Sequence, residues 1–594
     1  MKKNWNLDSL YQSFDSSEFK EDFENLKSEI QSITKWSKDN LTKVDLTNEQ
    51  LIETMESYIN LTNNFEKYIK LMTYTNLIIS VDTLNETACK MSDTLANIFA
   101  ELSTPQVVFK SFLKNVDNLE ELIQKSDLLK EHEFFILEQK QFASHMLSEA
   151  EELIIAKMKI TGSNSWKKFK EQLTSLLTVD IELKGEKKKL PITVIRNMAD
   201  DGDAEVRKAA YFAELKAYEN IDKSVAYALN SIKGEVITTS KLRGYNSVLE
   251  MTLIESRLKR ETLNAMFAAI EKKMPIFTRY FQHKAKLLGH KNGLPFYDLF
   301  APVGNAEMRF TYEEATQFVE KNFADFNEEL GTFARSAFDK EWVDVEPREG
   351  KEGGAFCHNI HEIKESRIMM NFTGSFGDVM TLAHELGHAY HGECLNDETY
   401  LNSDYTMPIA ETASTFCEGI VANACLKTVS KDEAITILEI SISQMSQVVV
   451  DIYSRFLFED TFIKRRESGT LSTEEISEIM LDAQRKAYGE GLDSNYLHKY
   501  MWLIKPHYYG YNYYNFPYAY GALFAKGLYA KYLKVGNSFI DEYDNLLKAT
   551  GRNSLEEIAK KAGIDVTSQE FWLTSLDIVE REIDKFIELS SKND

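Results

Sequence analysis

Apolar positions spaced three and four apart dominate the first part of the chain. Phe19, Phe23, Leu26 and Ile30 keep that spacing, as do Leu51, Met55, Tyr58 and Leu61. An apolar stripe with the period of a helical turn predicts long amphipathic helices over residues 1–110, and the pattern continues through 115–175. The period then changes. Val179-Asp-Ile-Glu-Leu183 alternates apolar with polar, Lys184 and Gly185 break it, and Leu190-Pro-Ile-Thr-Val194 follows. Period two on both sides of a turn predicts a small β-hairpin. The lysines at 187–189 read as a solvated strand edge or turn. Met198-Ala-Asp-Asp-Gly-Asp203 is a polar capped loop, after which helical spacing returns over 204–243 and 256–288. The predicted organisation is an N-terminal helical region (1–110), a helical lobe with a hairpin (111–200) and a third region holding the candidate chemistry (201–594).

Composition favours the same class. The chain is 43% hydrophobic and 12% aromatic, enough for a large core, and its 9 prolines and 26 glycines in 594 residues leave long helices unbroken. Lys and Arg total 69 against 93 Asp and Glu, a net charge of −24, which argues against a nucleic-acid backbone or an anionic lipid surface as partner. Cys89, Cys357, Cys394, Cys417 and Cys425 are odd in number and lack framework spacing, which points to a reducing, cytoplasmic setting. No apolar run follows Met1-Lys-Lys-Asn-Trp-Asn6, so no signal peptide is expected. One uncharged run, 506–525, reaches membrane length. It carries two prolines, two asparagines, a histidine and seven tyrosines, so no membrane span is expected there.

The candidate chemistry lies in Thr381-Leu-Ala-His384-Glu385-Leu-Gly-His388-Ala-Tyr-His391, which contains HExxH. Asp378 is the expected N-cap of a helix running on from Val379. Positions i and i+4 share a face about 6 Å apart along the axis, so His384 and His388 can meet one metal ion. Glu385 leaves on an adjoining face, where it can reach a water held on the metal without binding the metal. A catalytic zinc needs a third protein ligand. Three ligands on one straight helix would span about 10 Å, which excludes His391. The HExxHxxGxxH form is absent, since Cys394 stands at the last histidine position. Glu393 and Glu398 follow too closely for the chain to turn back. Glu411 lies 23 residues after His388, just beyond Pro408, which suits the start of a new helix. Glu411 is therefore the expected third ligand of a single Zn²⁺. Glu418, seven residues on and on the same face, is the expected acceptor for a ligand histidine.

The run TLAHELGHAYH followed by AETASTFCE resembles oligoendopeptidase F, of the thimet-oligopeptidase-like zinc peptidases. The resemblance extends to Trp5-Asn-Leu-Asp-Ser-Leu-Tyr11 and to Asp203-Ala-Glu-Val-Arg-Lys-Ala-Ala-Tyr211, and so covers nearly the whole chain. It implies a mainly α fold, a large helical zincin with two lobes around a deep substrate cleft and a small β-element beside the HExxH helix. It supports Glu411 as third ligand and implies a zinc endopeptidase acting on oligopeptides. A carboxypeptidase or dipeptidase would share the metal site, and a non-catalytic peptide-binding protein is the remaining alternative.

Three further segments bear on a peptide substrate. Ser366-Arg-Ile-Met-Met370-Asn-Phe372 reads as a strand whose exposed edge could pair with an extended peptide, placing Met370 against it. Gly350, Gly353 and Gly354 form a flexible loop expected to close over the substrate, with His358 facing it. The tyrosines between His507 and Gly521 are too many phenols for a plain core and suit a polar cleft wall. There the resemblance suggests His507 and Tyr514 as donors to the substrate carbonyl, with Tyr518 beside them.

Overall fold

The computed structural model describes residues 2–304 and 308–591. Helices dominate, and the strands among the described residues form only two small sheets. The predicted N-terminal stripes face inward. The helix Ser17–Asn40 buries Phe19, Leu26 and Ile30, and Asn48–Asn64 buries Met55 and Tyr58. These helices build two separate apolar cores. One gathers Phe19, Leu26 and Leu71 and reaches Ile360; the other gathers Met55, Phe109 and Leu122 and is packed by Leu401. A third and much larger core runs from Val179 to Phe586. The first two cores thus form a lobe that touches the rest near residues 360 and 401, leaving a cavity of about 570 Å³ between them.

The predicted hairpin pairs β1 (Thr178–Leu183) with β2 (Glu186–Pro191) around Lys184 and Gly185, both at positive φ. Its second strand ends earlier than the alternation suggested, because Ile192–Asn197 coils into a helix. Lysines 187–189 lie exposed in β2. The helix predicted over 204–243 is two, Ala204–Tyr218 and Asp222–Leu242, and the next long one is Arg260–Leu287.

The second sheet corrects one expectation. β3 (Val343–Asp344), β4 (Phe356–Ile360) and β5 (Glu365–Met369) are ordered β3-β5-β4, with β5 parallel to β3 and antiparallel to β4. The strand predicted near 366–372 is therefore central, with the two-residue β3 on one side and β4 forming the longer edge on the other. Met370 is 1% exposed, its N–H donates to the Asp344 carbonyl (2.9 Å), and its carbonyl accepts from Lys351 Nζ (2.7 Å). It has no free backbone group to offer a substrate.

Three helices frame the motif: α1 (Phe376–Leu395), α2 (Met407–Cys425) and α3 (Phe516–Val535). Helix α2 lies between the other two, and a glycine sits at each seam. A Cβ at Gly387 on α1 would stand 2.6 Å from Ser414 Cα, and one at Gly521 on α3 would stand 2.9 Å from Glu411 Cβ. The missing side chains let the helices approach closely. The run 506–525 folds as the turn His507–Gly510, a loop and the start of α3, with Tyr508, Tyr513 and Tyr520 in the core. Among the described residues one helix, Lys431–Arg466, is long and apolar enough to cross a membrane; more than half of that window is buried in the protein, including Ile437, Ile442 and Val449.

Candidate metal centre and active site

Helix α1 starts earlier than the sequence suggested. Ser375 is the N-cap, accepting from Asp378 N–H (3.1 Å), while Asp378 Oδ2 accepts from the N–H groups of Ser375 (3.0 Å) and Thr373 (2.8 Å). This reciprocal capping box places Asp378 in the first turn, three residues inside the cap. One and a half turns on, His384 and His388 share a face, their rings 4.8 Å apart and nearly perpendicular. Their Nε2 atoms face each other at 3.1 Å.

Glu411, from α2, completes the cluster. Its Oε2 lies 3.3 Å from His384 Nε2 and 3.6 Å from His388 Nε2. Pro408 is the second residue of that helix rather than the first. Ser414 Oγ donates to Glu411 Oε2 at 3.0 Å, which fixes the carboxylate. Behind the cluster, His384 Nδ1 is hydrogen-bonded to Glu418 Oε1, and the His388 carbonyl accepts from Asn359 Nδ2 of β4 at 3.1 Å. His391 points elsewhere: it is fully buried, stacked on Tyr405, with Nε2 2.8 Å from Thr550 Oγ1. Glu398 is paired with Arg552, and Glu393 accepts from Asn396.

The electrostatics are those of a cradle short of positive charge. Burial works to lower the His384 pKa, but hydrogen bonds to Glu411 and Glu418 outweigh it and hold its proton above the ordinary 6.5. Burial, helped by the charge on His384, pushes His388 down to about 4. Burial would raise Glu411, yet His384 and His388 bring it down to about 2. Glu385 is raised to about 7, first by burial and then by Glu411 and Glu418, against the pull of His384. Its Oε2 is buried with no hydrogen-bond partner. Two imidazole nitrogens and a carboxylate oxygen converging on one point, beside an orphaned buried carboxylate oxygen, fit a divalent cation of zinc's ligand preference.

The aromatic residues lie together. Ring centroids of His507, Tyr514 and Tyr518 form a triangle of 5.4, 5.8 and 6.0 Å. Burial and then neighbouring charge, including that of Glu411, raise both tyrosines, Tyr518 to about 12, so each keeps its proton as a donor. Tyr518 also lines a largely apolar cavity of about 320 Å³ that opens at His384, Glu411 and Glu418 and runs toward Leu438 and Met445. Gly354 and His358 stand apart from this group. His358 Nε2 lies 3.2 Å from Thr73 Oγ1 of the N-terminal lobe. The Gly354 carbonyl accepts from Asn371 at 3.1 Å, and its loop is tied to the same lobe by Thr83 N–H to the Gly350 carbonyl (2.7 Å) and Glu352 N–H to the Ser80 carbonyl (2.9 Å). Asn359, Gly387 and Gly521 were not anticipated. The two mid-helix glycines were the legible sign, since glycine weakens a helix unless close approach requires it.

Known proteins are similar to this chain over nearly its whole length. The profile of peptidase family M3 matches residues 197–578, and that of oligopeptidase F matches residues 115–178. Oligopeptidase PepF of Bacillus subtilis is 26% identical over 601 aligned positions, covering 99% of this chain and 87% of its own. Group B oligopeptidase PepB of Streptococcus agalactiae is 26% identical, covering 92% and 91%. Among solved structures, oligoendopeptidase-F from Enterococcus faecium superposes with a TM-score of 0.71 at 21% identity, covering 96% of this chain and 99% of its own. A chain from Chlamydophila abortus gives 0.83 at 23%, covering 99% and 98%.

Proposed function

We propose, from the premise that this chain belongs to peptidase family M3 and is a metallopeptidase, that it is a zinc-dependent endopeptidase cutting internal bonds of oligopeptides. The observation that carries this reading is the convergence of His384, His388 and Glu411 on one point with the unpartnered Glu385 oxygen beside it. One zinc per chain, held by those three side chains, would polarise the scissile carbonyl and make a water acidic enough to give up its proton near neutral pH.

The remaining chemistry belongs to the protein's own groups. Glu385, raised to about 7, accepts the water's proton and delivers one to the leaving amine. Glu418 holds the His384 ring by its far nitrogen, so that the near one faces Glu411 and His388. Tyr514 and His507 donate to the oxygen that gains charge as the carbonyl is attacked, with Tyr518 beside them. The apolar cavity at His384 receives a side chain flanking the cut bond. The free edge of β4, carrying His358, pairs with the extended substrate in place of β5, and the loop of Gly354 roofs it. The boundaries expected at about residues 110 and 200 each fall within one apolar core, so we propose two parts instead: an N-terminal lobe holding the two smaller cores, and a larger body that begins with the hairpin. The five free cysteines support a reducing compartment, and we place the enzyme in the cytoplasm.

The test is digestion of an internally quenched oligopeptide blocked at both ends, with zinc content measured before and after a chelator. Internal cleavage that follows the zinc supports the reading. Zinc without internal cleavage, but with release of terminal residues from unblocked peptides, replaces it with an exopeptidase.

A further inference from the structure

The loop that presents Tyr514 is held from beneath by a buried charge pair. Lys233 lies on the helix Asp222–Leu242 and is 1% exposed; Glu459 lies on the helix Ile452–Arg466 and is 2% exposed. An ammonium group has three N–H bonds to give, and here all are given: 2.7 Å to Glu459 Oε1, 2.8 Å to the Tyr511 carbonyl and 3.0 Å to Asn512 Oδ1. The second oxygen of Glu459 accepts from Asn515 Nδ2 at 3.0 Å, and Asn515 is fully buried. The pair therefore grips residues 511, 512 and 515, on both sides of Tyr514.

Two more bonds tighten the loop. Thr252 Oγ1 donates to the Asn512 carbonyl (3.3 Å), and the Tyr513 hydroxyl donates to Asp460 Oδ1 (3.1 Å). Tyr513 itself sits at φ +50, a left-handed conformation that a bulky residue keeps only when its surroundings impose it. A buried ion pair is weak evidence for stability, since apolar residues of the same volume serve a core as well. What this one supplies is direction: three hydrogen bonds aimed at a single turn.

We propose that Lys233 and Glu459 are positioning residues for Tyr514, clamping its loop so that the ring stays against His507 and Tyr518 and its hydroxyl is aimed at the reacting carbonyl. This rests on the role given to Tyr514 above. Neither residue touches the substrate; both act through the turn they hold. A misplacement of about 1 Å at a reacting group is enough to lower turnover on the order of 100-fold.

The test is a double-mutant cycle in the full-length, zinc-loaded chain on the end-blocked peptide. Glu459→Gln should lower kcat about 10- to 100-fold with KM nearly unchanged, and Asn512→Ala, which leaves the charge pair intact, by a smaller factor. In the Tyr514→Phe background neither substitution should lower kcat further, because the hydroxyl they aim is already gone. A purely structural role predicts the opposite, equal losses in both backgrounds, and that result overturns the proposal. If Glu459→Gln does not fold, Asn512→Ala carries the same cycle. If Tyr514→Phe alone leaves kcat unchanged, the proposal falls together with the role of Tyr514 while the peptidase reading stands. Failure of that broader reading shows earlier, as an unaltered chain that cuts no blocked peptide.

Discussion

Zinc added to the metal-free Glu385→Gln chain should bind about tenfold more tightly for each unit of pH between about pH 5 and about pH 6.5. Without metal, His384 sits between Glu411 and Glu418, whose hydrogen bonds override burial and keep it protonated above its ordinary range. His388 has been pushed to about 4 and Glu411 to about 2, so both are already bare in that window. A metal that takes His384 Nε2 must expel one proton, and only one. The proton is the competitor, so affinity falls as pH falls, by about 1.4 kcal/mol per unit. Two ordinary histidines would give a slope approaching two on the acid side of about 6.5. Glutamine at 385 removes a carboxyl raised to about 7 whose proton would otherwise join the count. The slope is read by competition with a chelating dye, and the proton is counted by calorimetry in buffers of different ionisation enthalpy. A slope of two would mean that His388 titrates with His384. A slope of zero would mean that the two glutamates do not hold the His384 proton. Either refutes the reasoning.

Glu385→Gln should also keep stoichiometric zinc while turnover falls about 10²- to 10⁴-fold, measured by metal analysis beside peptide hydrolysis; near-normal turnover would remove Glu385 as the base. Gly387→Ala puts a methyl 2.6 Å from Ser414 Cα and 2.7 Å from the Ala413 carbonyl, backbone atoms that cannot step aside. It should destabilise the fold by about 1–3 kcal/mol in denaturant titration and lower zinc occupancy, and an unchanged midpoint would contradict the close seam. Ala422→Trp fills the cavity that opens at His384. It should lower kcat/KM for peptides with a large apolar residue beside the cut bond by about 10- to 200-fold and spare those with glycine or alanine there; a uniform loss would detach the cavity from specificity.

The helices were legible because burial imposes a period on the sequence, as at Phe19, Leu26 and Ile30. The HExxH spacing and the distance to Glu411 were legible because helical geometry alone brings i and i+4 together, and one turn of chain can return a second helix. The place of β5 was not. Its outer partner β3 is two residues long and carries no period, so the chain around Met370 looked like an edge when it is the middle of a sheet. β4 was hidden for a similar reason, since Phe356-Cys-His-Asn-Ile360 follows a glycine loop and has no clean alternation. Nor could the sequence disclose the grip on Tyr514, whose anchor Lys233 stands 278 positions from Tyr511. Long-range polar contacts leave no local signature.

Because the two histidines ride on α1 and Glu411 on α2, the donor set exists only while those helices keep the separation that Gly387 allows. The cluster is thus a gauge of interhelical spacing, and a bound ion is a tie across the seam. A bulky residue at Gly521 of α3, whose Cβ would press on Glu411 Cβ, would displace Glu411 without touching either histidine. Were the proposed zinc bound there, its loss would precede unfolding of the seam, and the melting temperature would rise with free zinc.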